Sequence, residues 1–247
     1  MGGTADFGWL EIGLIAVVFV VGFWNTAVGS TGGITFATMS AALSPRVAIP
    51  VQSVVEGVSG GLRVWQLRSF IDRAFLARFL AGGALGATVG LVALRLVTTS
   101  NRGDDLMRLF VAGFILGSTW LPGGSAHHSN RASVVGAVTT GLSLFIGGMG
   151  AAIGATLERR GDAHAVVLAT TSTALVAQYV IRLAVFGVVG FDYVGYLPLI
   201  LALTVASIAG TVIGSRVLVR LPPEKARTVF RWVVTAIAVT MVLGVML

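Results

Sequence analysis

The chain has no cysteine, so disulfides, thiolate metal sites and cysteine nucleophiles are excluded from the outset. Charge is scarce as well: 11% of the 247 residues are Asp, Glu, Lys or Arg, against about a quarter in ordinary soluble domains. The three histidines have no metal-ligand spacing. His127 and His128 fall in a connector rich in Gly and Ser, and His164 stands beside Asp162 at the start of an apolar run. No metal or other cofactor is expected. The first nine residues, Met1 to Trp9, contain no Lys or Arg, so a cleaved leader with a basic start is not expected and the first apolar run reads as a retained span.

Apolar residues are plentiful instead, at 55% of the chain, and the mean hydropathy is +0.92. One anchor cannot produce that average. Eight apolar runs are near the roughly 20 residues that a helix needs to cross the hydrocarbon core: Trp9–Val28, Val47–Trp65, Phe75–Val97, Leu106–Leu121, Val135–Ala155, Ala165–Val189, Val194–Val219 and Val229–Leu247. None alternates as a barrel strand would. A backbone in lipid must satisfy its own hydrogen bonds, so the sequence predicts an all-α polytopic membrane protein of about eight transmembrane helices.

The formal charge of +7 reads as membrane topology before nucleic-acid binding, because the arginines sit at span ends. Alternate connections collect 11 basic residues on one side and 6 on the other. The positive-inside rule then puts both termini outside the cytoplasm, in a multi-pass protein of the cell (inner) membrane. The four arginines Arg63, Arg68, Arg73 and Arg78 oppose that placement locally.

Two halves share one order of features: span, glycine break, short apolar stretch, span ending in Arg, GxxxG span, basic turn, final span. Residues 1–121 form the first repeat, 122–133 the connector and 134–247 the second. At offsets of 118 to 124, Gly29 and Gly32 meet Gly147 and Gly150, Arg63 meets Arg182, and Gly86 and Gly90 meet Gly210 and Gly214. Four spans per half would relate the halves by an axis along the membrane normal. The GxxxG pairs fit close helix packing by small residues.

Two constellations carry candidate chemistry. The first is the glycine break that opens each half, Gly29-Ser30-Thr31-Gly32-Gly33 and Gly147-Gly148-Met149-Gly150. Each precedes a stretch too short to span, Ile34–Leu43 and Ala151–Leu157. A helix start at membrane depth presents unpaired N–H groups and a positive dipole end, which suits an anion. A tight packing turn is the alternative. The GSTGG run lacks the lysine and spacing of a phosphate loop.

The second constellation is a polar stripe, Gln52, Glu56, Ser59 and Arg63, spaced to share one helical face. The matching positions at offset 119 are Thr171, Leu175, Gln178 and Arg182. Polar groups on a span avoid lipid, so both stripes are expected to face the interior or a water-filled path. Arg63 and Arg182 are either snorkelling anchors at span ends or fixed cations for an anionic cargo. Candidate anion-binding residues are therefore Ser30, Thr31, Gly32, Gly33, Gln52, Ser59, Arg63, Gly148, Gly150, Thr171, Gln178 and Arg182. Glu56, the one acid near the centre of a span, is either a proton carrier or a structural acid bonded to backbone freed at Gly57, Gly60 or Gly61.

Taken with the final Leu221-Pro222-Pro223-Glu224 turn before Phe230, these features resemble the sulfite exporter TauE/SafE family of membrane permeases. The resemblance runs through Gly22–Gly33 into Ile34–Leu43, Val47–Arg63 and Gly82–Gly90, with a partial echo from Gly141 onward. Its usual three glycines in the first break are here Thr31-Gly32-Gly33, and in the second half Met149-Gly150-Ala151. It implies a secondary transporter of small sulfur-containing anions (sulfite, thiosulfate, organosulfonates) that uses protons as a partner. A carboxylate cargo and a passive anion channel are the alternatives within transport. An intramembrane hydrolase with Ser30 as nucleophile would need a base within reach, and the histidines lie in connectors or at a span start. No enzymatic activity and no nucleic-acid partner are expected.

Overall fold

The computed structural model describes residues 9–28, 35–36, 39–40, 42–98, 132–147 and 149–217. Among them are seven α-helices, one 3-10 turn and no strand: α1 (Trp9–Val28), α2 (Pro45–Leu67), the 3-10 turn (Arg68–Phe70), α3 (Arg73–Thr98), α4 (Ala132–Ser143), α5 (Gly150–Arg159), α6 (His164–Val188) and α7 (Leu197–Val217). The apolar runs at 106–121 and 229–247, most of the connector, and Ser30, Thr31, Gly32, Gly33 and Gly148 lie outside the described residues.

Local chemistry explains where the helices begin and end. Extended Ser44 leads into Pro45 in the first turn of α2, where the missing N–H costs nothing. Pro50, inside the same helix, cannot donate to the carbonyl four residues earlier, so α2 is locally weakened near its start. Helix α6 ends on Gly190 at φ 92°, with the Phe191 amide donating to the Phe186 carbonyl at 2.9 Å. Helix α5 ends the same way on Gly161 at φ 78°, its amide donating to the Glu158 carbonyl at 3.0 Å. Both are Schellman-type stops that only a residue tolerant of positive φ makes cheaply.

The run Val135–Ala155 is not one span. Helix α4 covers 12 residues, about 18 Å at 1.5 Å per residue, and stops at Ser143; the described residues Leu144–Gly147 are not helical, and α5 begins at Gly150.

The helices pack in three principal pairs: α1 on α7, α3 on α4, and α2 on α6. Small residues set the approach. A Cβ added to Gly86 would strike the Ala137 backbone, one on Gly82 the Ser133 backbone, and one on Gly210 the Phe19 carbonyl. The GxxxG glycines Gly86, Gly90 and Gly210 thus serve close helix contact.

Polarity is distributed inside out relative to a soluble protein. On α3 the side chains of Leu85, Val89, Val92 and Leu96 form an outward stripe, each more than half exposed. Gln52, Glu56, Thr139, Thr140, Ser143, Gln178 and Arg182 are buried. Water outside would penalise that stripe, whereas lipid outside accepts it and drives the polar groups inward. Arg73–Val97 and His164–Val188 are each long and apolar enough to cross a membrane.

Candidate functional site

The buried polar groups converge where α2, α4 and α6 meet beside the break between α4 and α5. Helices α2 and α6 approach closely at Gly60, where an added Cβ would press on Val176, while Gly57 faces Tyr179 at ordinary contact distance. Gly147, in the break, lies against Gln52 and Phe36, leaving no room there for a side chain. Four pieces of chain far apart in sequence therefore share one interior volume.

From α6, Gln178 Nε2 donates to Thr139 Oγ1 at 3.0 Å and Thr140 Oγ1 at 3.2 Å on α4. One turn on, the Arg182 side chain is fully enclosed, and its Nη2 donates to the Ile146 carbonyl in the break at 3.1 Å. Its Cζ lies 5.2 Å from the centre of the Tyr179 ring, close enough for a cation–π contact. The Nε and Nη1 of Arg182 are buried and have no partner among the described residues. On α2, Glu56 is 7% exposed, hydrogen-bonds the Thr35 side chain, and feels Arg63 and Arg182 through space. Its Oε1 is buried without a partner. Among the described residues, Glu56 and Arg182 are the only buried Asp, Glu, Lys, Arg or His side chains.

The α2 stripe is thus divided. Gln52 and Glu56 are in the buried cluster, while Arg63 is half-buried farther along the helix. The Ser59 hydroxyl turns back to the Glu56 carbonyl at 3.4 Å. On α6, Gln178 and Arg182 are in the cluster, whereas Leu175 packs with Phe75, Phe79, Ile153 and Leu157. Thr171 faces Gly154 of α5, with its hydroxyl buried and unpartnered. Gly150 is buried at the first turn of α5, whose start has no side-chain cap.

Sequence reasoning missed Thr35, Thr139, Thr140 and Tyr179. The adjacent Thr139-Thr140 pair, four and three residues before Ser143 in a run otherwise apolar, was a readable polar signal. Tyr179 and Thr35 had none, since their relevance rests on contacts across the fold.

A second polar cluster lies outside the spans and fastens the turn before α3 to the turn before α6. Asp72 Oδ1 accepts the Phe75 amide at 2.9 Å, capping α3, and Oδ2 accepts Arg160 Nη2 at 2.9 Å. Arg160 also faces Asp162 at 3.3 Å, and the Asp72 amide donates to Thr170 Oγ1 at 2.9 Å. The Phe75 amide foremost, and then Arg160, hold the Asp72 carboxyl below the usual carboxylate range. A lowered folded value means that this contribution is complete above the unfolded pKa and is lost as pH falls through the folded one. Asp72→Asn keeps an acceptor for the Phe75 amide and removes the charge paired with Arg160, so it is expected to cost about 0.2–1 kcal/mol, the scale of a part-exposed ion pair. Thermal unfolding in detergent at pH 7 checks this, and the variant should show less of the acid-side decline in stability.

A family model described as Sulfite exporter TauE/SafE matches residues 14–241. No curated protein and no solved structure matches the chain.

Proposed function

This chain belongs to the sulfite exporter TauE/SafE family of membrane transporters, and on that premise we propose that it is a secondary transporter of a small sulfur-containing anion. The cargo is sulfite, thiosulfate or an organosulfonate, carried across the cytoplasmic membrane with protons. One observation carries this reading: Arg182 is fully buried, tied to a helix break, and keeps two donor nitrogens without a partner among the described residues. A buried guanidinium lacking a full set of acceptors is costly, and two oxygens of a sulfite, thiosulfate or sulfonate group accept from its fork as those of a phosphate do.

Gln52, Gln178, Thr139 and Thr140 supply uncharged polar contacts around Arg182, and Gly150 opens the helix that follows the break. Arg63 adds a second positive charge along the path. Ser30, Thr31, Gly32, Gly33 and Gly148 complete the site in this proposal, with Ser59 and Thr171 along the same two faces. Glu56 couples transport to protons.

The helix pairing supports the two-half reading. Opening helix α1 packs on α7 of the other half, opening helix α4 packs on α3, and the polar helices α2 and α6 meet each other. Gly22 lies against Ser207 in the first pair and Gly141 against Gly86 in the second, and these contacts interchange within the offsets that align the halves.

Uptake by proteoliposomes of sulfite, thiosulfate and methanesulfonate, with acetate beside them, tests the function. Saturable movement of a sulfur anion stimulated by a proton gradient is expected. Acetate alone moving would transfer the reading to carboxylates, and unsaturable current without proton linkage would make it a channel. For orientation, reporter fusions at Leu247 and within residues 122–130 should both report the outside. A cytoplasmic signal at Leu247 would reverse the assignment.

A further inference from the structure

Glu56 and Arg182 stand on the two helices that meet through Gly57 and Gly60, and neither has a complete set of partners. Glu56 retains a buried Oε1, and Arg182 a buried Nε and Nη1, with no partner among the described residues. Each lies in the electrostatic field of the other, and Tyr179 in the field of both. An ion removed from water needs a counter-ion nearby, or its burial costs several kcal/mol. An ionised Glu56 would supply that counter-charge to Arg182 through space when no cargo is bound.

A bound anion changes the count. Cargo and ionised Glu56 together would set two negative charges against one fully buried positive one, and like charges at short range oppose each other. We propose that Glu56 and the cargo anion are alternative counter-ions of Arg182, so that each monoanion bound is accompanied by one proton taken up on Glu56. This rests on the transport function proposed above and adds its coupling rule and the charge class of its cargo.

The balance closes. The carboxylate accepts one proton to become a neutral acid, and the anion replaces it as the charge that balances the guanidinium. The cluster's net charge is then the same empty or loaded. Proton and monoanion cross together without net charge, whereas a dianion would carry one negative charge per turnover. Thr35 suits both states, because a hydroxyl donates to a carboxylate and accepts from a carboxylic acid.

The surroundings leave few other groups to take the proton. Acting on Glu56 are Arg63 on its own helix, and Tyr179 and Arg182 on α6. The described side chains of α7 that pack beside α2 include no charged residue. Arg68, in the adjoining 3-10 turn, stacks on Trp65 at 4.3 Å. Arg63 is only half-buried, so solvent screens it.

Calorimetric binding to the purified full chain in nanodiscs tests the proposal, with methanesulfonate as a permanent monoanion and thiosulfate as a dianion. Two cationic buffers of different ionisation enthalpy reveal the protons exchanged. The expected result is about one proton taken up per methanesulfonate, with affinity falling about tenfold per pH unit once Glu56 ionises. Glu56→Gln should bind methanesulfonate with no proton uptake and no such slope. Wild-type binding without proton uptake, or uptake that persists in Glu56→Gln, overturns the competition while leaving an anion transporter. No binding of methanesulfonate, thiosulfate or sulfite overturns the anion site and this proposal together. Should Glu56→Gln fail to fold, the proton count of the wild type decides alone.

Discussion

Replacing Arg182 by glutamine or alanine is expected to weaken anion binding on the order of 10- to 100-fold, and to slow transport in proportion. The estimate follows from losing one charge-assisted contact, worth roughly 1.5–3 kcal/mol. Arg182 is the stronger test of the two repeat-related arginines, because its side chain is fully enclosed while Arg63 is half-buried. Lysine at position 182 keeps the charge and loses the planar fork, so Arg182→Lys should fall between wild type and glutamine. Alanine also strips the Ile146 carbonyl of its donor, which by itself costs about 1–3 kcal/mol of stability. Glutamine retains a donor and separates the two effects. Size-exclusion profiles and thermal unfolding report folding, and anion binding reports the site. Arg63→Ala should have a smaller effect through the same field. Unchanged transport in Arg182→Gln, Arg63→Ala and the double variant would return both arginines to a structural role.

Glu56→Gln is expected to abolish proton-driven accumulation in proteoliposomes while anion exchange continues. Insertion scales place an acid at a helix centre at about +2.5 to +3.5 kcal/mol, so such a residue is retained at a cost and needs a compensating use or partner. Glutamine has the same shape and can keep the Thr35 contact, yet it cannot take or release a proton. Accumulation against a gradient would therefore collapse to equilibration, a loss of the whole concentrative effect. The measurement is labelled-anion uptake with and without an imposed pH gradient, beside counterflow at equal pH. A variant that still accumulates cargo with wild-type pH dependence would remove Glu56 from the coupling.

Much of the architecture was legible because hydropathy and period are local properties. The described helices α1, α2, α3, α6 and α7 begin and end within a few residues of their apolar runs. The run over 135–155 reads as one span by length and mean hydropathy, yet its glycine break at Gly147–Gly150 falls where α4 and α5 are separate. Half of the stripe on each polar helix faces the cluster and half does not. Spacing specifies a common face but not the neighbour that face meets, which is why Leu175 lies in an apolar core and Gln178 on two threonines.

The amino-acid sequence by itself determined the solvent, the secondary structure and the identity of the costly groups. Scarce charge, long apolar runs and one carboxyl near the centre of a span are facts of the sequence, and lipid turns them into helices with inward polar faces. Tertiary structure alone decided which groups share a volume. Gln178 reaches Thr139 and Thr140, Arg182 reaches Ile146, Glu56 reaches Thr35 and the field of Arg182, and none of these pairings follows from spacing. The reason is rotational and steric. A helix turned about its own axis keeps its periodicity but changes every neighbour, and here Gly57, Gly60 and Gly147, small enough for close approach, set where α2, α6 and the break come together.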